Sequence, residues 1–247
     1  MQRDSLVYVP AAAAYAIVFA ASDDGVCEVG LIDPGADDYS LSVPTASVEP
    51  MEPAGPENMA DLAAQLAVLH LRVSRGIDVA RSFEAFVGRA ESGSLELWFS
   101  RGSSRATLLA ELDPAAEKSL RSALEGLDLG PWSSGGPARE PSLDDWGWSV
   151  QAVGARLGTQ GYGRAAAPAG LEALVSTLRS LGAPVSWGTD GPVADAAADL
   201  PQDAPAGPAD ADAANADAAN ADVPDAASAP GLGAISAAIR AALDDEA

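Results

Sequence analysis

The residues able to do chemistry in this chain are few. It has one histidine, His70, and one cysteine, Cys27. A zinc site built from several such ligands cannot be assembled from them, and no internal disulfide can form, which fits a reducing compartment. Cys27 lies mid-way along a β-rich run with no base beside it to generate a thiolate. His70 stands between Leu69 and Leu71, one step off an apolar stripe, as a satisfied histidine at a core edge does. No Gly-x-Ser-x-Gly elbow occurs, so a serine hydrolase of that type has no anchor. Gly158-Thr159-Gln160-Gly161-Tyr162-Gly163 resembles a phosphate cradle, but it lacks the P-loop lysine and follows a helical pattern rather than a strand. The acid pairs Asp23-Asp24, Asp37-Asp38 and Asp144-Asp145 point to opposite sides wherever the chain is extended, so they do not converge on one metal or proton. The last pair suits the first turn of a helix. No catalytic residue, metal or cofactor is expected.

What remains are residues that recognise rather than react. Trp148 falls off the apolar stripe of its segment and is expected to be exposed; with Trp132 it forms a candidate ligand or partner surface. Arg75, Asp78, Arg81 and Glu84 alternate in charge at a spacing of three. Arg75 and Arg81 are candidates for an anion or a partner, against the plainer alternative of a solvated helix face. A small-molecule or hydrolytic site would draw on the Trp132–Trp148 region with Asp144, Asp145, Arg156 or Arg164. Near the end of the sequence, Leu232, Ile235, Ile239 and Leu243 follow one another by threes and fours. This narrow stripe covers about three turns, too short for a stable isolated helix in water, so its order must come from docking on a partner or on the body. These four residues are the expected partner-binding positions.

The elements that position these residues divide the chain into three parts. Residues 189–230 hold nine acids, no Lys or Arg, and an Ala-Asp-Ala-Ala-Asn repeat with Asp212, Asp217 and Asp222 in register. Such a tract has too little apolar area to offset the entropy of ordering, and is expected to be a disordered acidic linker. At 42 residues it has an average reach of about 35 Å. An α+β body precedes it over 1–188, and a short amphipathic helix follows over 231–245. The net charge of −22 sits on the flanks, with ten acids against one Arg in residues 1–60. Phosphate backbones and anionic membranes require clustered Lys and Arg, so neither is an expected partner.

Within the body, 1–56 reads as a β-rich acidic part. Leu6–Ala21 is too short to span a bilayer as a helix. Its Tyr and Val content, and the Ser22-Asp23-Asp24-Gly25 turn before Val26–Ile32, predict a hairpin in a cytoplasmic protein. The alternative is a signal peptide and an exported protein. Residues 33–57 read as loop, with a short edge strand at 39–43. A long helix is predicted from Asn58, its stripe running Leu62, Leu66, Leu69, Val73, Ile77, Ala80, Phe83, Val87, with Gly76 as a weak point. Leu95–Phe99 and Ala106–Leu112 predict a second hairpin, and Asp113-Pro114 starts a helix. Ser142 and Asp145 suggest a capping box for a helix carrying Leu143, Trp146, Val150, Val153 and Leu157. A last helix spans Leu171–Leu181, and Pro184–Trp187 returns to the sheet. The expected fold is a small antiparallel sheet from two hairpins packed with about four helices.

The order helix, hairpin Leu95–Leu112, Asp-Pro helix and Leu171–Trp187, with Val175-Ser176-Thr177-Leu178-Arg179-Ser180-Leu181-Gly182 before Pro184, resembles the small α/β domain of type III secretion chaperone-like (TY-Chap) proteins over about half the chain. It departs from that domain in lacking a clear third strand after the hairpin. The resemblance implies a non-catalytic protein-binding domain. The function expected is therefore a non-enzymatic adaptor or chaperone-like protein.

Overall fold

Alternation rather than helical spacing governs most of the chain. The structure is a computed structural model that describes residues 1–34, 40–76, 78–90, 92–102, 104–132 and 145–195. The stripe at 231–245 and the repeat at 210–225 lie outside the described residues, as do Asp37, Asp38, Ile77, Ser142, Leu143 and Asp144.

The first sheet has five antiparallel strands, β1 (Leu6–Val9), β2 (Ala14–Ala21), β3 (Val26–Leu31), β4 (Ser40–Pro44) and β5 (Glu49–Pro50), in the order β4-β3-β2-β1-β5. The hairpin expected around Ser22–Gly25 is β2–β3, with Gly25 at φ 87° in the turn. The N-terminal run folds as β1 and β2, burying Val7, Val9, Ala16 and Val18.

After β5 the chain changes sheets across the single residue Met51. Its amide donates to Leu6 O at 3.0 Å, and the next amide, Glu52, donates to Arg156 O at 2.8 Å. There follow β6 (Glu52–Pro53), α1 (Met59–Ala64), β7 (Val68–Ser74), β8 (Phe83–Arg89), β9 (Leu95–Arg101), β10 (Thr107–Leu112), α2 (Pro114–Glu125), β11 (Gly147–Val153), β12 (Leu157–Arg164) and α3 (Leu171–Ser180). The strands form a seven-stranded sheet, β10-β9-β8-β7-β11-β12-β6, antiparallel except for the short β12–β6 pair. β13 (Val185–Gly188) and β14 (Gly191–Ala194) make a separate hairpin, so 185–187 does not join the main sheet, and the folded part extends through residues the composition assigns to the linker.

The expected fold is overturned: the described residues form fourteen strands in three sheets with three α-helices. The long helix from Asn58 stops at Ala64, and the rest of its stripe is β7 and β8. Leu66, Leu69 and Val73 satisfy helical spacing, but Leu69, Leu71 and Val73 also alternate with His70 and Arg72, as do Phe83, Ala85 and Val87 with Glu84 and Phe86. Helical spacing and strand alternation share positions here, and tertiary pairing decided. The helix predicted over 143–157 is likewise β11, where Trp148, Val150 and Ala152 face one way, and the glycine-rich run after it is β12 rather than a loop. Gly161 and Gly163 are needed there for space: a Cβ on Gly163 would lie 2.7 Å from the Trp132 ring, and one on Gly161 3.1 Å from Leu129. Two helical expectations survive, α2 and α3. Asp113 caps α2 by accepting from the Ala116 amide at 2.7 Å.

One face of the seven-stranded sheet, with Leu69, Leu71, Val73, Phe83, Ala85, Val87, Leu97, Phe99 and Val150, is buried, as are Leu62 of α1, Leu120 and Leu124 of α2 and Leu171, Leu174 and Leu178 of α3. The opposite face is only partly covered. Val68, Phe86 and Val153 pack there with Leu6 and Ile32 of the first sheet. Beyond that apolar patch the same face turns polar.

Candidate functional site

The polar end of that face floors a cleft of about 890 Å³ between the two large sheets. Cross-strand register builds the floor. Ser149, Arg72, Glu84 and Ser100 lie directly opposite one another on β11, β7, β8 and β9, and Gln151 and His70 make the adjoining row. The facing wall comes from the first sheet and the turn that follows β3, and includes Ile17, Phe19, Ile32, Asp33 and Pro34. Phe19 is the extra residue of a bulge in β2, where pairing shifts between Val18 and Ala20. A bulge re-aims a side chain, and here the ring lies over Gly30, where a Cβ would sit 2.3 Å from it. Phe19 is 48% exposed and Val79, on the other lip, 53%.

Glu84 anchors the charge on the floor. Its Oε2 is 3.2 Å from His70 Nε2 and its Oε1 3.1 Å from Arg72 Nε. The hydrogen bond from His70 lowers the Glu84 pKa below the usual carboxylate range; the charges of His70 and Arg72 act the same way, and burial opposes them. Glu84 is thus a carboxylate with both oxygens occupied. His70, set aside by the sequence as a core-edge residue, is a half-buried strand residue on this floor. The signal that marks it is period two: His70 and Arg72 interrupt Leu69, Leu71 and Val73.

The candidates from sequence do not assemble as one surface. Trp148 is buried, not exposed, and donates from Nε1 to Ala166 O at 2.7 Å. Its ring packs on Trp132 at 5.3 Å between centroids, above the space left by Gly163. The position off the apolar stripe misled because the segment is a strand, in which Trp148 faces the core with Val150. Trp146 instead meets Trp187 edge-on at 6.0 Å and lines a second cleft of about 830 Å³ with Arg75, Arg81 and Asp145. Arg75 is buried and serves as a clamp: its terminal amines donate to Asp190 O at 2.9 Å and Gly191 O at 3.3 Å, fixing the turn between β13 and β14. Burial, with Arg81 nearby, lowers its pKa. Arg81 faces Asp78 at 3.8 Å in the β7–β8 connection. The ladder from Arg75 to Glu84 is therefore split across a strand end, a turn and another strand.

Among the described residues no group of His, Cys, Asp or Glu is placed to hold a metal ion, and no helix is long and apolar enough to cross a membrane. Cys27 is buried in β3, with Sγ 3.6 Å from Val43 O. Compared with known families and with curated proteins, the chain matches no family model and no curated sequence.

Proposed function

We propose that the protein is a non-enzymatic adaptor whose inter-sheet cleft binds a protein partner, with the apolar stripe Leu232, Ile235, Ile239 and Leu243 engaging a second one. The observation that carries the reading is the two-sided cleft: a largely apolar wall faces a floor of His70, Arg72, Glu84, Ser149 and Gln151, with Phe19 exposed at one lip and Val79 at the other. Exposed large apolar groups rimmed by polar ones mark interaction sites. The chemistry on the floor suits binding. Glu84 is held between His70 and Arg72 and His70 is turned onto Glu84, so neither is aligned on a nucleophile.

The test is affinity capture from the native host with three forms: the full chain, the chain ending at Asp195, and the full chain carrying Ser149→Trp, which fills the cleft from its floor. The cut falls after Asp195 because β14 is part of the body. The reading expects Ser149→Trp to lose one partner and the truncation another. Identical partner sets for all three forms overturn it.

A further inference from the structure

The floor of the cleft offers hydrogen-bonding groups that no described residue engages. Gln151 is 8% exposed and Ser100 7%, and both line the cleft. Neither side chain bonds to a described residue, yet their polar atoms are not among those sealed from solvent, so they open into the cleft. Gln151's cross-strand neighbours are already engaged: Gln160 donates to Asp4 O, and His70 is turned onto Glu84. Buried polar side chains are nearly always partnered, by protein or by water, so these two hold hydrogen-bonding capacity that a ligand entering the cleft can take over from solvent. Arg72 adds charge. Its Nε faces Glu84, its side chain is 66% exposed, and its terminal amines bond to no described residue. Because Glu84's acceptors are taken while these donors stay open, the floor favours a ligand rich in acceptors.

Resting on the adaptor reading, we infer that the cleft takes an extended acidic-amphipathic peptide segment of the partner. Alternate side chains of an extended peptide point to opposite faces. Apolar ones pack on Ile17 and Phe19, the backbone amide meets Gln151, which offers both a donor and an acceptor, and a carboxylate side chain pairs with Arg72 beside the Ser149 hydroxyl.

The test is calorimetric titration of the full chain with acetyl-Leu-Glu-Leu-Glu-Leu-amide and with its Gln counterpart. The acidic peptide is expected to bind about tenfold or more tightly than the amide one, as a charge-assisted pair does. Arg72→Gln, at an exposed side chain, removes that preference while its melting curve stays close to that of the parent. Gln151→Met weakens both peptides roughly 3–10-fold. Equal affinity for the two peptides, binding of neither, or a preference that survives Arg72→Gln overturns the inference. If that happens while Ser149→Trp still abolishes partner capture, only the ligand chemistry is wrong. If capture is also unaffected, the cleft reading falls with it.

Discussion

Replacing Gln151 by Met separates a binding residue from a structural one. The two side chains are close in volume, so packing on β11 is conserved. Met removes an amide that finds no partner among the described residues. A buried unsatisfied polar group costs about 1–3 kcal/mol. Because the amide tip reaches solvent in the cleft, only part of that cost applies, and Gln151→Met should stabilise the free protein by up to about 1 kcal/mol. For a folded part of this size that is roughly 2–4 °C in Tm. Paired thermal and urea melts at constant pH measure it, with an unchanged urea m-value as the check that the native state is intact. Partner capture should fall in the same variant. Stability rising while binding falls is the signature of a polar group kept for an external ligand. Loss of about 1 kcal/mol or more would refute the reasoning, since the amide would then be holding the fold together.

Other perturbations read other parts of the structure. Glu84 has a folded pKa below its unfolded one, so its stabilising contribution is fully present above the ordinary carboxylate range and is lost as pH falls through the depressed folded value. The Tm gap between the parent and Glu84→Gln should therefore be widest near neutrality and close on acidification; a gap independent of pH contradicts the bonds to His70 and Arg72. Gly163→Ala places a Cβ 2.7 Å from the Trp132 ring, and overpacking of this kind costs about 1–3 kcal/mol, measured by denaturant melts with Trp fluorescence. A neutral result there returns the glycine run to a loop. Asp113→Ala removes the cap on Ala116 N and should cost about 0.5–2 kcal/mol.

Local signals in the sequence held at several turns and caps, though not at Asp145, which precedes a strand rather than opening a helix. Asp113-Pro114 starts α2, Ser22–Gly25 turns β2 into β3, and Gly182 with Pro184 follows the end of α3. They failed where one set of apolar positions satisfies two periods. Leu66, Leu69 and Val73 fit a helix, yet β7 is fixed by pairing with β8, the next strand along the chain, and with β11, which lies far off in sequence. That error hid the site. On a helix His70 is an isolated residue, whereas on β7 it stands next to Arg72 on the same face and meets Glu84, fourteen positions on. The bulge that turns Phe19 toward the cleft and the glycines that admit Trp132 are likewise consequences of packing. Gly163 reads as part of a loop until the ring it accommodates is in place.

The most direct measurement is a photo-crosslink from the floor of the cleft in the native host. With a benzophenone amino acid at Ser149, a discrete protein adduct should form, with the cross-linked peptide carrying acidic and apolar residues in alternation. The same group at Glu172, on the exposed side of α3, should give none. No adduct from Ser149, or the same adducts from both positions, would contradict the claim that the gap between the two sheets is where this protein meets its partner.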